Sequence, residues 1–179
     1  MAERTLRMAA PSVAESIVLH DGSPVDLMPI EPSDEQRLAR FHHGLSPDTI
    51  RGRFFYVHPE LTDAELRRFT HVDHIDREAI VAVADGEIIA VARFDRIDES
   101  TAAEVAFVVA DSWQGRGLGA ALLSRLATRA RQLGVTCLVA ETLADNRKML
   151  AVFHHAGFPI TERSDDRIVE LTIALTPTP

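Results

Sequence analysis

The chain has 179 residues, 46% of them hydrophobic and 26% charged, and these proportions are typical of a single soluble domain. Its one cysteine cannot form an internal disulfide, and no apolar run reaches the roughly 18 residues that a membrane-spanning helix requires. The formal net charge of -8 argues against a nucleic-acid partner, because phosphate binding requires a basic surface. A cationic substrate suits this sign better, although solubility alone also favours an acidic surface.

The two ends of the chain differ from its middle. Residues 1–20 and the closing TPTP of residues 176–179 carry no periodic apolar pattern, so loosely ordered ends are expected. No internal repeat divides residues 21–175, which predicts one domain there. The N-terminal stretch has two arginines but lacks the apolar segment of a signal peptide, and a cytoplasmic location is therefore expected.

The first elements are a strand and a helix. Residues 24–30, PVDLMPI, alternate between apolar and polar side chains and predict a strand, with Val25 and Leu27 facing the core and Met28 as a further candidate. The turn and cap of sequence PSD that follows predicts a helix over about residues 34–43.

Two short helices and a hairpin come next. Ser46-Pro47 has the composition of a helix start, and Thr62 followed by Glu65 has the spacing of a capping box. Residues 79–97 predict a hairpin that turns at Asp85-Gly86. A further strand is predicted after the hairpin, AAEVAFVVA at 102–110. This strand and the hairpin strands are apolar on both faces at their centres, which indicates a sheet covered on both sides.

From Gly117 the apolar spacing becomes that of a helix, which is predicted to end at a left-handed Gly134. Its apolar stripe consists of Leu118, Ala121, Leu122, Leu126, Ala130 and Leu133. A buried strand at 136–143, a helix at 146–157 and a last strand at 167–175 follow. The alternation predicts an α/β fold with a mixed sheet.

Three glycines occupy the junction between the strand ending near Ala110 and the helix starting near Gly117. Glycine permits positive φ and close approach of a ligand, and the free N–H groups at a helix start favour an anion. A phosphate is therefore expected, and a tight turn without a ligand is the alternative. The chain lacks both the Gly-Lys-Ser/Thr of a P-loop and the Gly-x-Gly-x-x-Gly of a dinucleotide fold.

The segment that contains these glycines, Gln114-Gly115-Arg116-Gly117-Leu118-Gly119, resembles the Q/R-x-x-G-x-G/A pyrophosphate loop of the GNAT superfamily of N-acetyltransferases. The preceding strand matches that family, and so does NRKMLAVFHHAGF, from Asn146 to Phe158, which is similar to its N-x-x-x-x-x-x-Y-x-x-x-G-F helix. The resemblance covers about residues 24–175 and implies a GNAT-like fold: a mostly antiparallel sheet splayed between two parallel strands, with helices on both faces. The N-terminal half is similar to the acetyltransferase domain of bacterial Pat-type protein lysine acetyltransferases.

The resemblance also implies a co-substrate, acetyl-CoA, and the residues that bind it. The pyrophosphate would lie on the amides of Gln114, Gly115, Arg116, Gly117, Leu118 and Gly119. The pantetheine would pair with the strand edge near Val108 to Ala110, where the N–H of Val108 or Val109 would polarise the thioester carbonyl. Asn146 is expected to contact the pantetheine or the strand edge, with helix capping as the alternative.

Glu104 is the candidate general base, since related protein acetyltransferases have a glutamate four residues before the position of Val108. An amine with a pKa near 10.4 is protonated at neutral pH and must lose a proton before it attacks. Four strand residues span about 13 Å, which favours proton transfer through water over direct abstraction. A solvated glutamate at the start of a strand is the alternative.

Phe153 stands where many family members have a tyrosine that is thought to protonate the departing CoA thiolate. A phenylalanine donates no proton, but a thiolate with a pKa of about 8.5 can leave without a dedicated acid. The neighbouring His154 points about 100° away from Phe153 on a helix.

Other patterns are weaker. The histidines form no H-x-x-x-H motif and no cysteine cluster accompanies them, so no metal site is expected. His71, Asp73 and His74 precede the hairpin and would either line the acceptor cleft or form a solvated loop. Three functions remain: an acetyl-CoA-dependent protein lysine acetyltransferase, a small-molecule amine acetyltransferase and a non-catalytic acyl-CoA sensor. Nothing in the sequence fixes the number of subunits.

Overall fold

A computed structural model describes residues 14–98 and 100–175. Eight strands form one mixed sheet in the order β1-β2-β3-β4-β5-β6-β8-β7. The strands are β1 (Glu15–Val18), β2 (Pro24–Pro29), β3 (Arg77–Ala84), β4 (Glu87–Arg96), β5 (Ala102–Val109), β6 (Cys137–Leu143), β7 (Ile160–Asp165) and β8 (Ile168–Ala174). The helices are α1 (Glu35–His43), α2 (Pro47–Phe54), α3 (Asp63–Thr70), α4 (Leu118–Gln132) and α5 (Arg147–His154).

The local signals for helix and turn positions are confirmed. Ser46 caps α2 through a bond from the Thr49 N–H, and Thr62 and Glu65 form the predicted capping box of α3. The β3–β4 hairpin turns at Asp85 and Gly86, where both residues have positive φ. The predicted mixed α/β fold is therefore correct.

Three details differ from the sequence-based predictions. Part of the N-terminal segment that was expected to be loosely ordered forms strand β1, because it pairs with β2 and its Ile17 packs on the core. Residues 1–13 and 176–179 lie outside the described residues. Met28 faces solvent at 38% exposure, since alternation along β2 turns it away from the inward Val25 and Leu27. The strand β7 was not predicted, because its exposed polar sequence has no apolar alternation.

The helices divide into two groups on the two faces of the sheet. One core lies under α4 and α5 and includes Leu122, Leu126, Leu138, Phe107 and Phe153. The other lies under α1, α2 and α3 and includes Ile30, Leu38, Phe41, Ile50 and Val91. Both faces of the central strands are therefore buried, as their apolar sequences predicted.

The strands β5 and β6 form the only parallel pair among the described strands, and their pairing is short. It joins Ala102 to Cys137, Ala103 to Leu138 and Glu104 to Val139. Beyond Glu104, β5 continues beside β4 and β6 continues beside β8. The two strands therefore separate, which confirms the predicted splay and leaves a gap in the middle of the sheet.

A buried ion-pair network links β3 to α4. The carboxylate of Glu78, with a side chain that is 0% exposed, accepts from Arg129 Nε at 2.9 Å and lies 2.6 Å from His74 Nδ1. Arg129 also donates to the His74 carbonyl at 2.9 Å. Burial alone would raise the pKa of Glu78, but the hydrogen bonds from His74 and Arg129 lower it below its ordinary value. The charge inside the sheet–helix interface is thus fully paired.

Candidate active site

The glycine-rich loop joins the end of β5 to the start of α4. Gly115 and Gly117 have φ of 75° and 90°, a left-handed conformation that favours glycine. Gly119 has a different function, because a Cβ at this position would meet Val152 Cγ2 at 3.0 Å. The missing side chain of Gly119 lets α4 and α5 approach closely. The first N–H groups of α4 have no partner within the helix, and such groups at a helix start can bind an anion.

Polar side chains hold the loop against the neighbouring helices. Asp111 accepts from Ser46 Oγ at 2.6 Å and from Thr49 Oγ1 at 2.7 Å. Gln114 Nε2 donates to Thr49 Oγ1 and to the Val109 carbonyl, both at 3.1 Å, and Gln114 Oε1 accepts from Lys148 at 2.9 Å. The Gln114 side chain thus joins α2, β5 and α5, and its phosphate-binding group would be the backbone amide.

Arg116 is held in a similar way. Its guanidinium pairs with Asp21 at 2.9 Å, donates to the Ser112 carbonyl at 2.7 Å and lies over the Trp113 ring at 4.7 Å. Hydrogen bonds from the backbone and the side chain of Ser23 are the main causes that lower the pKa of Asp21, and the charge of Arg116 lowers it further. The β1–β2 turn is thereby fastened to the glycine loop.

His20, in the same turn, covers Gly117. A Cβ built on Gly117 would lie 2.8 Å from His20 Cε1, and the His20 N–H donates to the Arg116 carbonyl at 3.4 Å. Sequence reasoning missed this residue, because it precedes the first predicted strand and belongs to no motif.

A cavity occupies the gap between β5 and β6 and brings together residues from both faces of the sheet. Its lining comprises Gly52, Arg53, Phe55, Glu104, Val105, Ala106, Phe107, Glu141, Thr142, Met149 and Phe153. The predicted base Glu104 and the residue at the tyrosine position, Phe153, are therefore lining residues of one cavity.

The hydrogen-bond pattern of β5 determines which backbone amides face the gap. The Ala110 N–H donates to Ile89 of β4, and the Ala102 carbonyl accepts from Ile97. Because bonding direction alternates along a strand, the even-numbered residues of β5 bond to β4. The N–H of Val108 thus points to β4, whereas those of Phe107 and Val109 point toward the gap.

Glu104 forms the last pair of the parallel ladder, opposite Val139. Its carboxylate is exposed and has no hydrogen bond or ion pair to any residue that the structure describes. Arg53 lines the cavity beside it; burial lowers the pKa of Arg53, and the negative charge of Glu104 acts in the opposite direction. The carboxylate is thus accessible from solvent.

Phe153 is 1% exposed and packs against Phe107, with ring centroids 5.7 Å apart. Asn146 caps α5, accepting from the Met149 N–H at 3.2 Å, which is the alternative considered for it. Its Nδ2 faces Gly52 of α2, where a Cβ would approach to 3.0 Å. Contact of Asn146 with a bound molecule stays a prediction.

The residues before the hairpin are engaged elsewhere. His71 pairs with Glu35 at 3.1 Å, His74 pairs with Glu78, and Asp73 accepts three backbone N–H groups from its own turn. None of the three is a lining residue of the cavity. Over residues 14–98 and 100–175, no cluster of three or more His, Cys, Asp or Glu side chains is arranged for a metal, and no helix is long and apolar enough to cross a membrane.

Comparison with known proteins gives consistent matches. The model of the Acetyltransferase (GNAT) family matches residues 39–158. The chain is 32% identical to Acetyltransferase Pat of Mycolicibacterium smegmatis, over 99% of this chain and 55% of that protein, so it spans about half the length of that relative. It is also 32% identical to Acetyltransferase PA5475 of Pseudomonas aeruginosa, over 83% of this chain and 82% of that protein. The crystal structure of the GNAT domain of S. lividans PAT matches with a TM-score of 0.85 and 37% identity, covering 90% of this chain and 96% of that one.

Proposed function

The chain belongs to the GNAT family, and we propose that it is an acetyl-CoA-dependent acyltransferase that transfers the acetyl group to the side-chain amine of a protein lysine. The observation that carries this proposal is the position of Glu104. Its unpaired carboxylate stands where β5 and β6 separate, in the cavity that the two strands share.

The residues present fit acetyl-CoA. The left-handed Gly115 and Gly117 expose the loop backbone, so the amides of residues 114–119 would bind the pyrophosphate. The edge of β5 that faces the gap would pair with the pantetheine. The thioester supplies an acyl carbon that an amine can attack directly.

The amides of Phe107 and Val109 are the candidates for stabilising the oxyanion. A backbone N–H that already points into a gap requires no reorganisation when negative charge develops on the thioester oxygen. Of the two amides that the sequence suggested, Val109 is favoured over Val108, because the N–H of Val108 points to β4. Phe107 is an additional donor that the sequence did not indicate.

Glu104 would accept the proton of the attacking amine. The distance along β5 from Glu104 to Val108 is about 13 Å for four strand residues, so the proton would travel through one or more waters in the cavity. With the proton removed, the neutral amine attacks the acyl carbon and the CoA thiolate leaves.

A protein acceptor is supported by the surface beside the cavity. Phe55 lines the cavity, and the residues after it, Tyr56 and Val57, are 58% and 87% exposed. Adjoining exposed apolar side chains are typical of a binding surface for a polypeptide. The similarity to Acetyltransferase Pat and to the GNAT domain of S. lividans PAT supports the same acceptor class.

A thiol-release assay with acetyl-CoA tests the proposal. Lysine-containing peptides and folded proteins should release CoA and gain an acetyl group by mass spectrometry, and the Glu104→Gln variant should be slow with the same acceptors. Turnover of polyamines or other small amines without turnover of peptides would indicate a small-molecule acetyltransferase. Binding of acetyl-CoA without thiol release from any amine would indicate a sensor.

A further inference from the structure

Thr142 lines the cavity between β5 and β6 and carries a buried hydroxyl that has no partner among the described residues. Thr142 is 1% exposed and lines the cavity together with Phe107 and Phe153. Its Oγ1 is buried and has no hydrogen-bond partner among the residues that the structure describes. A buried hydroxyl without a partner is costly, and in a native structure it requires an explanation. A polar atom of a bound molecule would supply the missing partner.

The register of the parallel strands shows how far along the gap Thr142 lies. Glu104 is paired with Val139, so Phe107 and Thr142 each lie three residues beyond that last pair. Three strand residues span about 10 Å. Thr142 therefore stands across the gap from the part of β5 where the amides of Phe107 and Val109 are unpaired.

The surroundings of Thr142 contain little else that is polar. Leu138 and Ala140 alternate with the same period as Thr142 on β6, so all three side chains lie on the same face of the sheet. Leu138 and Ala140 belong to the core under α4 and α5. On that side of the cavity the neighbouring lining residues are Val105, Phe107, Met149 and Phe153, which have apolar side chains. Glu104 belongs to the opposite face, where the amine would enter. A hydroxyl on the apolar side is thus suited to the part of the thioester that lies away from the amine.

We propose that the Thr142 hydroxyl donates a hydrogen bond to the sulfur of acyl-CoA and of the departing CoA thiolate. The proposal rests on the acyl-CoA site described above, and it supplies a donor where Phe153 has none. In the reaction the amine nitrogen bonds to the acyl carbon, the carbon–sulfur bond breaks and its electron pair stays on sulfur. The amine proton passes through water to Glu104. Thr142 keeps its own proton, because a hydroxyl is a far weaker acid than a thiol, and the released thiolate takes a proton from solvent.

The test compares Thr142→Val, which removes the hydroxyl at nearly constant shape, with Thr142→Ser, which retains it. Binding of CoA and of desulfo-CoA, which lacks the sulfur, is measured by calorimetry at about pH 9, above the ordinary thiol pKa of about 8.5. The wild type and Thr142→Ser should bind CoA at least about 10-fold more tightly than desulfo-CoA, since hydrogen bonds to charged groups are strong. Thr142→Val should lose this preference, and its kcat should fall about 10-fold.

The sulfur-dependent preference separates this role from a structural one. Because Oγ1 has no partner among residues 14–98 and 100–175, Thr142→Val should unfold at the same or a higher urea concentration. Equal weakening of CoA and desulfo-CoA binding, or an unchanged preference with kcat within about 2-fold of wild type, would overturn the proposal. Folded wild-type protein that binds no CoA would overturn the proposed function as well, whereas normal CoA binding with an unchanged preference would overturn only the role of Thr142.

Discussion

The imidazole ring of His20 lies directly over the α-carbon of Gly117, so close that a methyl group on Gly117 would meet His20 Cε1 at 2.8 Å. Gly117 also has a φ of 90°. This position therefore excludes side chains twice, by backbone conformation and by contact.

The glycine loop gives the first prediction. Gly117→Glu should abolish acetyl-CoA binding, because the side chain adds bulk and negative charge where the pyrophosphate would lie. The unfavourable φ should cost about 1–2 kcal/mol of stability, and the His20 ring must move away from the new side chain, so the fold of the variant has to be verified. Calorimetry with acetyl-CoA, checked by circular dichroism, measures both effects.

His20→Ala is the matched control for this substitution. It removes the ring over Gly117 but leaves the loop glycines in place, so it should retain most of the affinity. Unchanged affinity in a folded Gly117→Glu protein would show that the loop does not bind the cofactor.

The second prediction concerns the base. Glu104→Gln should lower kcat about 10²-fold with unchanged affinity for acetyl-CoA, the usual scale for loss of a general base. Glu141→Gln is a suitable control, because Glu141 is also an exposed glutamate that lines the same cavity. If the two variants lose activity equally, or if Glu104→Gln is fully active at neutral pH, the assignment of Glu104 is wrong.

The third prediction tests the position of Phe153. Phe153→Tyr adds one hydroxyl to a buried ring that lines the cavity. We expect a several-fold higher kcat and a new alkaline limb near the tyrosine pKa of about 10, because the phenol would then protonate the leaving thiolate. The pH dependence of kcat for the two proteins measures this.

A loss of stability in Phe153→Tyr would contradict the third prediction. A hydroxyl without a partner in the core would cost about 1–3 kcal/mol. A loss of that size in urea unfolding, without a change in the pH profile, would show that Phe153 is only a core residue.

The fourth prediction concerns the pH dependence of stability. The hydrogen bond to Glu78 raises the pKa of His74 above 6.5. Its stabilising effect is therefore complete below pH 6.5 and is lost as the pH rises through the raised pKa. Glu78 has a pKa below 4.5, so its effect is complete above pH 4.5 and is lost only in stronger acid. The network should stabilise the protein most between pH 4.5 and 6.5.

His74→Asn measures this contribution, since asparagine tolerates the positive φ of 58° at this position. The wild type should exceed the variant in free energy of unfolding most clearly at about pH 5.5 and less at about pH 8.5. His71→Asn, which removes a more exposed histidine pair, serves as the control. A difference between wild type and His74→Asn that stays constant across this range would contradict the prediction.

The sequence predicted those elements whose signals are local. The capping box at Thr62 and the hairpin turn at Asp85 each depend on a few adjacent residues. The polar edge strand β7 depends instead on pairing with β8, a long-range interaction that leaves no apolar alternation in its own residues. Glu104 was selected because related protein acetyltransferases have a glutamate four residues before the position of Val108, and its role as the base stays a prediction.

Other parts of the candidate site leave no signal in the sequence. The contact of His20 with Gly117 joins residues about a hundred positions apart in the chain. Thr142 is an ordinary strand residue in the sequence, and its significance lies in what its hydroxyl lacks. The direction of the β5 amides follows from hydrogen bonds at both ends of that strand, and a one-residue change in register would reverse it.

The three-pair ladder between β5 and β6 has a consequence for amide hydrogen exchange. The N–H groups of Phe107 and Val109 face a gap without a strand partner among the described residues, so they should exchange with deuterium quickly, although their neighbours in the β4–β5 ladder are protected. A pantetheine chain paired to this edge would act as an additional strand between the two halves of the sheet. Binding should therefore slow exchange at alternate residues of one strand, and the period of two would distinguish direct pairing from general stiffening of the protein.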